Sequence, residues 1–67
     1  MKEKFLEVKN DLEEQIKLLE GAIKSYNKAI ELNPNHAKAY FNRGEARLKL
    51  TDKKKLLEAI NYKIALL

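Results

Sequence analysis

The sequence predicts an all-α protein, an antiparallel helical hairpin combined with a long N-terminal helix. Apolar residues recur at steps of three and four along most of the 67 residues, which is the period of a helix with one buried side. Only two glycines and one proline interrupt the chain, too few for the turns between several short strands. We therefore expect one helical domain over residues 1–67.

The first helix is predicted over residues 2–32, where one apolar stripe is continuous. Asp11 is a candidate helix cap because Glu14 follows at the capping-box spacing. Gly21 weakens a helix by about 1 kcal/mol relative to alanine without stopping it. A break near Leu18 would give four helices in total instead of three. The stripe consists of Phe5, Val8, Leu12, Ile16, Leu19, Ile23, Tyr26 and Ile30.

Pro34 marks the end of the first helix. It lacks a backbone N–H donor and disfavours the helical conformation at the preceding residue, Asn33. Asn35 is then the expected cap of a second helix over residues 36–50. We expect that helix to point Ala37, Tyr40, Phe41, Gly44 and Leu48 inward.

A third helix is predicted over residues 52–66, because Thr51 and Asp52 are residue types that favour helix starts. Its predicted apolar positions are Leu56, Leu57, Ile60, Ile64 and Leu67. The three helices would then be unequal in length. An unbroken first helix would reach about 45 Å, and each of the others about half of that.

Two short helices cannot cover a stripe that runs the whole length of a long one. The uncovered part of the first helix must therefore meet another chain, fold back at a further turn, or stay exposed. We predict the first of these outcomes, self-association as a homodimer through the N-terminal half of the stripe. The predicted residues are Phe5, Val8, Leu12, Ile16 and Leu19.

Charge is distributed unevenly along the chain. Six basic and seven acidic residues precede position 33, for a net charge of −1, whereas eight basic and three acidic residues follow, for a net charge of +5. The excess positive charge would attract an acidic protein or peptide. Nucleic-acid binding is the weaker alternative, because no broad basic face with interleaved aromatic residues is evident.

The residue types argue against catalysis and against metal or cofactor binding. Cysteine is absent, and His36 is the only histidine, so neither a thiolate site nor a pair of imidazoles can form. No nucleophile–base pair or phosphate-binding glycine loop is evident. No hydrophobic run follows the charged residues at the N-terminus, which predicts a cytoplasmic protein without a membrane anchor.

Small, large and proline positions between residues 22 and 50 share one register. Residues 22–35 resemble the second helix of a tetratricopeptide (TPR) repeat, with Ala22, Tyr26 and Pro34 at its characteristic positions. Residues 37–46 are similar to the first helix of a following repeat, with Tyr40 and Gly44 matching. In a repeat of this kind, small residues allow neighbouring helices to approach closely.

The resemblance implies a module that binds other proteins. In TPR proteins the first helix of each repeat lines the binding groove, which here implies a peptide-binding face on the second helix. Its residues would be Lys38, Phe41, Asn42, Glu45 and Lys49. The alternative is an engineered or structural unit whose homodimer is the product and which has no external ligand. A repeat unit of this kind cannot bury its apolar face alone, which supports association under both interpretations.

Overall fold

The computed structural model describes residues 2–67 and shows two helices of nearly equal length. Helix α1 spans Lys2–Leu32, and helix α2 spans Ala37–Leu66. The two pack side by side in opposite directions, joined by residues 33–36, in a rod of 49 × 14 × 12 Å. The all-α prediction is confirmed. The prediction of three or four helices is wrong.

Helix α1 is continuous through the candidate cap at Asp11 and through the candidate break near Leu18. Leu18 and Asp11 lie inside the helix, and so does Gly21. Nothing lies within 4 Å of the position that a Cβ atom on Gly21 would occupy, so this glycine does not serve a close contact. The uninterrupted apolar stripe, packed along its whole length against a second long helix, explains why α1 tolerates the glycine.

The connection between the helices is a tight turn, with Pro34 at its second position. The Asn33 amide donates to the Ala29 carbonyl at 2.9 Å, and the His36 amide donates to the Asn33 carbonyl at 3.1 Å. The Asn33 side chain also accepts from the Asn35 amide at 3.2 Å. Asparagine and proline favour the first two positions of such a turn. The prediction that Pro34 separates two helices is confirmed.

His36, and not Asn35, caps the second helix. The Nδ1 atom of His36 accepts a hydrogen bond from the Ala39 amide at 3.0 Å. This bond satisfies one of the backbone donors that every helix start leaves unpaired. Asn35 belongs to the turn instead, where its backbone amide donates to the Asn33 side chain.

Removing the imidazole of His36 is expected to destabilise the protein. His36→Ala should lower the free energy of unfolding by about 1 kcal/mol, since it removes the acceptor for the Ala39 amide. His36→Ser should recover that loss, because serine is a preferred cap. Urea unfolding followed by circular dichroism measures both. Equal stability of the two variants would contradict the capping role.

Helix α2 continues through Thr51 and Asp52, where the sequence predicted a new start. The Thr51 hydroxyl donates to the Arg47 carbonyl at 3.0 Å, four residues earlier, so its polar group is satisfied along the helix. Threonine and aspartate in a helix interior cost only a few tenths of a kcal/mol each. The segments predicted as residues 36–50 and 52–66 therefore form one helix.

The interface between the helices follows a seven-residue repeat on both sides. On α1 the half-buried and buried positions advance by alternating steps of four and three, at Phe5, Lys9, Leu12, Ile16, Leu19, Ile23, Tyr26 and Ile30. On α2 they follow the same steps, at Ala39, Arg43, Ala46, Leu50, Lys53, Leu57, Ile60 and Ile64. This spacing is typical of long helices that pack nearly parallel or antiparallel. Helix α2 therefore covers the long stripe of α1.

Several residues that were expected to point inward from α2 lie on its outer side. Tyr40, Gly44, Leu48 and Leu56 are exposed, and nothing lies within 4 Å of a Cβ atom built on Gly44. The predicted close approach at Gly44 is therefore wrong within this chain. The physical reason is that charged residues occupy inward positions of α2, so a search for apolar spacing selects the opposite face.

Candidate functional site

The outer side of α2 carries an apolar surface that α1 does not cover. Two triplets with the same spacing form it, at residues 41, 44 and 48 and at residues 59, 62 and 66. Ala59 follows Leu48 by eleven positions. Because eleven positions are close to three helical turns, both triplets lie on one face of the helix. We call this surface the outer stripe; it consists of Phe41, Gly44, Leu48, Ala59, Tyr62 and Leu66, all of them exposed.

The first triplet forms an open depression on the protein surface. Its volume is 440 Å³, and its lining comprises Tyr40, Phe41, Gly44, Glu45 and Leu48. Gly44 forms the floor of this depression because it has no side chain, while Phe41 and Leu48 stand on either side one turn away. A large apolar side chain from another helix would fit this shape.

The corresponding side of α1 is polar. Exposed residues at steps of three and four cover it, namely Glu7, Asn10, Glu14, Lys17, Gly21, Ser25 and Lys28. One helix thus has a single apolar stripe and the other has two, on opposite sides. A helix that is apolar on two sides is typical of a position between two neighbouring helices. The hairpin supplies one neighbour for α2, and the outer stripe is free to accept the second.

The five residues predicted to bind a peptide lie along one flank of α2. Phe41 is a member of the outer stripe, and Glu45 lies at its edge. Asn42 is half-buried beside α1. Lys49 lines a separate depression of 270 Å³ between the helices, together with Gln15, Leu18, Leu19 and Lys53. Lys38 is exposed in the first turn of α2. The structure thus places the five on one flank, and binding through them remains a prediction.

The residues predicted to mediate self-association face α2. Leu12 is only 6% exposed, and Phe5, Ile16 and Leu19 are half-buried along the interface between the helices. Val8 is the exception, because it lies at the edge of that interface and is exposed. The surplus apolar surface therefore lies on the outer stripe of α2 and not on α1. Sequence reasoning had assigned Phe41, Gly44 and Leu48 of this stripe to the core.

The basic residues of α2 are spread around the helix. Arg43 donates from Nη1 to the Oδ1 atom of Asn27 at 2.8 Å, and its guanidinium lies 5.3 Å from the centre of the Tyr40 ring. The Lys54 ammonium lies 3.8 Å from a carboxylate oxygen of Glu20 on α1. Such exposed pairs contribute at most about 1 kcal/mol each. The Arg43–Asn27 hydrogen bond and the Lys54–Glu20 ion pair link α2 to α1, and the ion pair also neutralises one positive charge.

No group of three or more histidine, cysteine, aspartate or glutamate side chains in residues 2–67 is arranged to hold a metal ion. Within the same range, neither helix has a segment both long and apolar enough to cross a membrane.

Two antiparallel helices joined by a short turn are the architecture of a helical repeat unit. A family model described as TPR repeat matches residues 18–51, which is just over half of the chain. The chain belongs to the TPR repeat family, as its resemblance predicted. The matched segment is centred on the turn. Helix α1 begins about four helical turns before this segment, and helix α2 continues for about four helical turns after it. Among curated proteins and among solved structures, nothing matches this chain.

Family membership indicates the kind of function. TPR repeats generally mediate contacts between proteins, and the family is typically non-catalytic. The outer stripe is the surface of this chain that has the matching physical character, since it is apolar, exposed and framed by charged residues.

Proposed function

We propose that this protein is a protein–protein interaction module that binds a helical segment through the outer side of α2. One observation carries the proposal: α2 exposes two apolar triplets on the side opposite α1, while the outer side of α1 is polar. A helix docked on the outer stripe would place α2 between two neighbours, the arrangement in which repeat helices bury their apolar surface.

Phe41 is the expected anchor of that contact. Its ring is 66% exposed and adjoins the depression above Gly44, where a partner side chain would enter. Exposed aromatic residues beside a pocket dominate the binding energy of many protein interfaces. Lys38 and Lys49 on the neighbouring flank would favour a partner with acidic residues at the edge of its apolar stripe.

A nucleic-acid-binding function is less well supported by this arrangement. Arg43 and Lys54 are engaged with Asn27 and Glu20 of α1, and Lys53 is half-buried between the helices. The remaining basic side chains do not form one continuous face along the rod. Phosphate backbones are bound by such faces, with strong salt dependence.

Site-specific photo-crosslinking tests the proposal. A benzoylphenylalanine that replaces Phe41 should form adducts with polypeptide in an extract of the host cell, whereas the same probe in place of Lys17, on the polar side of α1, should not. Each adduct is identified by mass spectrometry, and a copy of the chain itself counts as polypeptide. Equal adduct yields from both positions, or adducts with nucleic acid alone, would show that the outer side of α2 is not a protein-binding surface.

A further inference from the structure

We infer that the outer stripe binds a second copy of this chain, with the two α2 helices antiparallel and related by a two-fold axis near residues 53 and 54. This inference rests on the proposed function, because it names the occupant of the same surface. Three properties of the outer side of α2 support it: its nearly symmetric spacing, its pairing of large with small residues, and its charges.

The outer stripe is nearly symmetric about the midpoint between residues 53 and 54. Phe41 lies as far before the midpoint as Leu66 lies after it, and Leu48 and Ala59 are related in the same way. A two-fold axis at that midpoint therefore places Phe41 opposite Leu66 and Leu48 opposite Ala59. Tyr62 falls one residue, or about 1.5 Å, from the position opposite Gly44. Such a self-complementary surface is what an isologous dimer requires.

At two of the three contacts, large side chains meet small ones in this register. Tyr62 of the second copy would lie over Gly44, in the depression whose floor has no side chain. Leu48 would face Ala59 of the second copy, and Phe41 would face Leu66. Alternation of large and small residues across a contact lets two helices interdigitate without voids. Tyr62 and Leu48 are 69% and 70% exposed in the single hairpin, so both have surface to bury.

Charged side chains are complementary in the same register. Asp52 and Lys55, which separate the two triplets, are exposed, and each would lie opposite the other residue of the second copy. The centre of the contact would then hold two carboxylates and two ammonium groups, with no net charge. Glu45 would lie beside Lys63 of the second copy, on the same side of the contact. Opposite charges at such positions select the partner and the orientation of paired helices.

The contact would be long for a chain of this size. Residues 41–66 extend over about 37 Å of helix, at about 1.5 Å per residue. The resulting assembly is a layer of four helices with α2 of each copy in the middle and the polar sides of α1 outside. Each α2 then has two neighbours.

Charge reversal at the centre tests the pairing. In analytical ultracentrifugation the 7.8 kDa chain should sediment as a dimer. Asp52→Lys and Lys55→Asp should each weaken dimerisation by about tenfold or more, because each places like charges together. An equimolar mixture of the two variants should dimerise again, and so should the double variant. Glu14→Lys and Lys17→Asp make the same charge changes on the polar side of α1 and should leave the dimer intact.

Disulfide trapping tests the direction and register in a chain that has no cysteine of its own. A mixture of Leu48→Cys and Ala59→Cys variants should form a mixed disulfide on mild oxidation. Leu48→Cys alone should not, because the two copies of residue 48 would lie about 16 Å apart along the axis, and a disulfide requires Cα atoms within about 7 Å. Circular dichroism checks that each variant is folded.

Two results would overturn the inference. One is a monomer at about 0.5 mM, where even a complex with a millimolar dissociation constant is partly formed. The other is efficient self-crosslinking of Leu48→Cys, which indicates parallel helices. If the chain is monomeric while the photo-probe at Phe41 captures a different protein, the inference fails and the proposed function stands. If the probe captures no polypeptide, both fail.

Discussion

Leu12→Ala is expected to remove a large fraction of the free energy of unfolding. Leu12 is the one large side chain among the described residues that is buried, at 6% exposure. Truncating a buried leucine costs about 2 to 5 kcal/mol. A domain of this length has a total stability of about 3 to 10 kcal/mol. The change therefore removes a large fraction of the stability, which thermal and urea unfolding followed by circular dichroism will measure.

Leu18→Ala is the matched control, because it makes the same chemical change on the same helix. Leu18 is 68% exposed beside the depression between the helices, so its truncation should cost less than about 1 kcal/mol. If the two variants are equally stable, the interface between α1 and α2 does not hold the hairpin together as described.

The stripe of α1 could be predicted because almost all of its inward positions are apolar. Seven of the eight predicted residues are half-buried or buried, and only Val8 is exposed. Lys9 takes the inward position beside it, and its long aliphatic stem can cover apolar surface while the ammonium reaches water. The turn could also be predicted, because Pro34 acts through covalent geometry that tertiary contacts do not override.

The side of α2 that faces α1 could not be predicted from apolar spacing alone. Its inward side mixes the charged Arg43 and Lys53 with apolar residues such as Leu50, and its outer side also carries large apolar residues. A residue pattern shows that a helix has an apolar side but not which of two such sides faces its own chain. The four-residue turn makes α2 run antiparallel to α1 but leaves the choice of side to the packing.

The missed continuation of α2 has a related cause. Thr51 and Asp52 are preferred at helix starts, yet their cost inside a helix is small compared with the packing of Leu50, Lys53 and Leu57 against α1. Local preference is decisive only where tertiary contacts are weak. The candidate site was missed for both reasons, because Phe41, Gly44 and Leu48, which were expected in the core of a three-helix fold, lie on the exposed face of a two-helix fold.

Ala46→Leu is expected to lower the free energy of unfolding by about 1 to 3 kcal/mol, the usual cost of inserting a larger side chain into a packed interface. Ala39 and Ala46 are 3% and 6% exposed, so the helices approach closely where α2 presents only a methyl group. A leucine at position 46 would force the helices apart there and weaken the contacts of their apolar neighbours. Thermal unfolding monitored by circular dichroism measures the loss.

Ala65→Leu is the control for this change, since Ala65 is exposed near the end of α2. Alanine and leucine have similar helix preferences, so the control should stay within about 0.5 kcal/mol of the parent. A gain in stability from Ala46→Leu would mean that space remains between the helices at that point. The orientation of α2 relative to α1, and with it the orientation of the outer stripe in the proposed binding, would then not be fixed by close packing at Ala46.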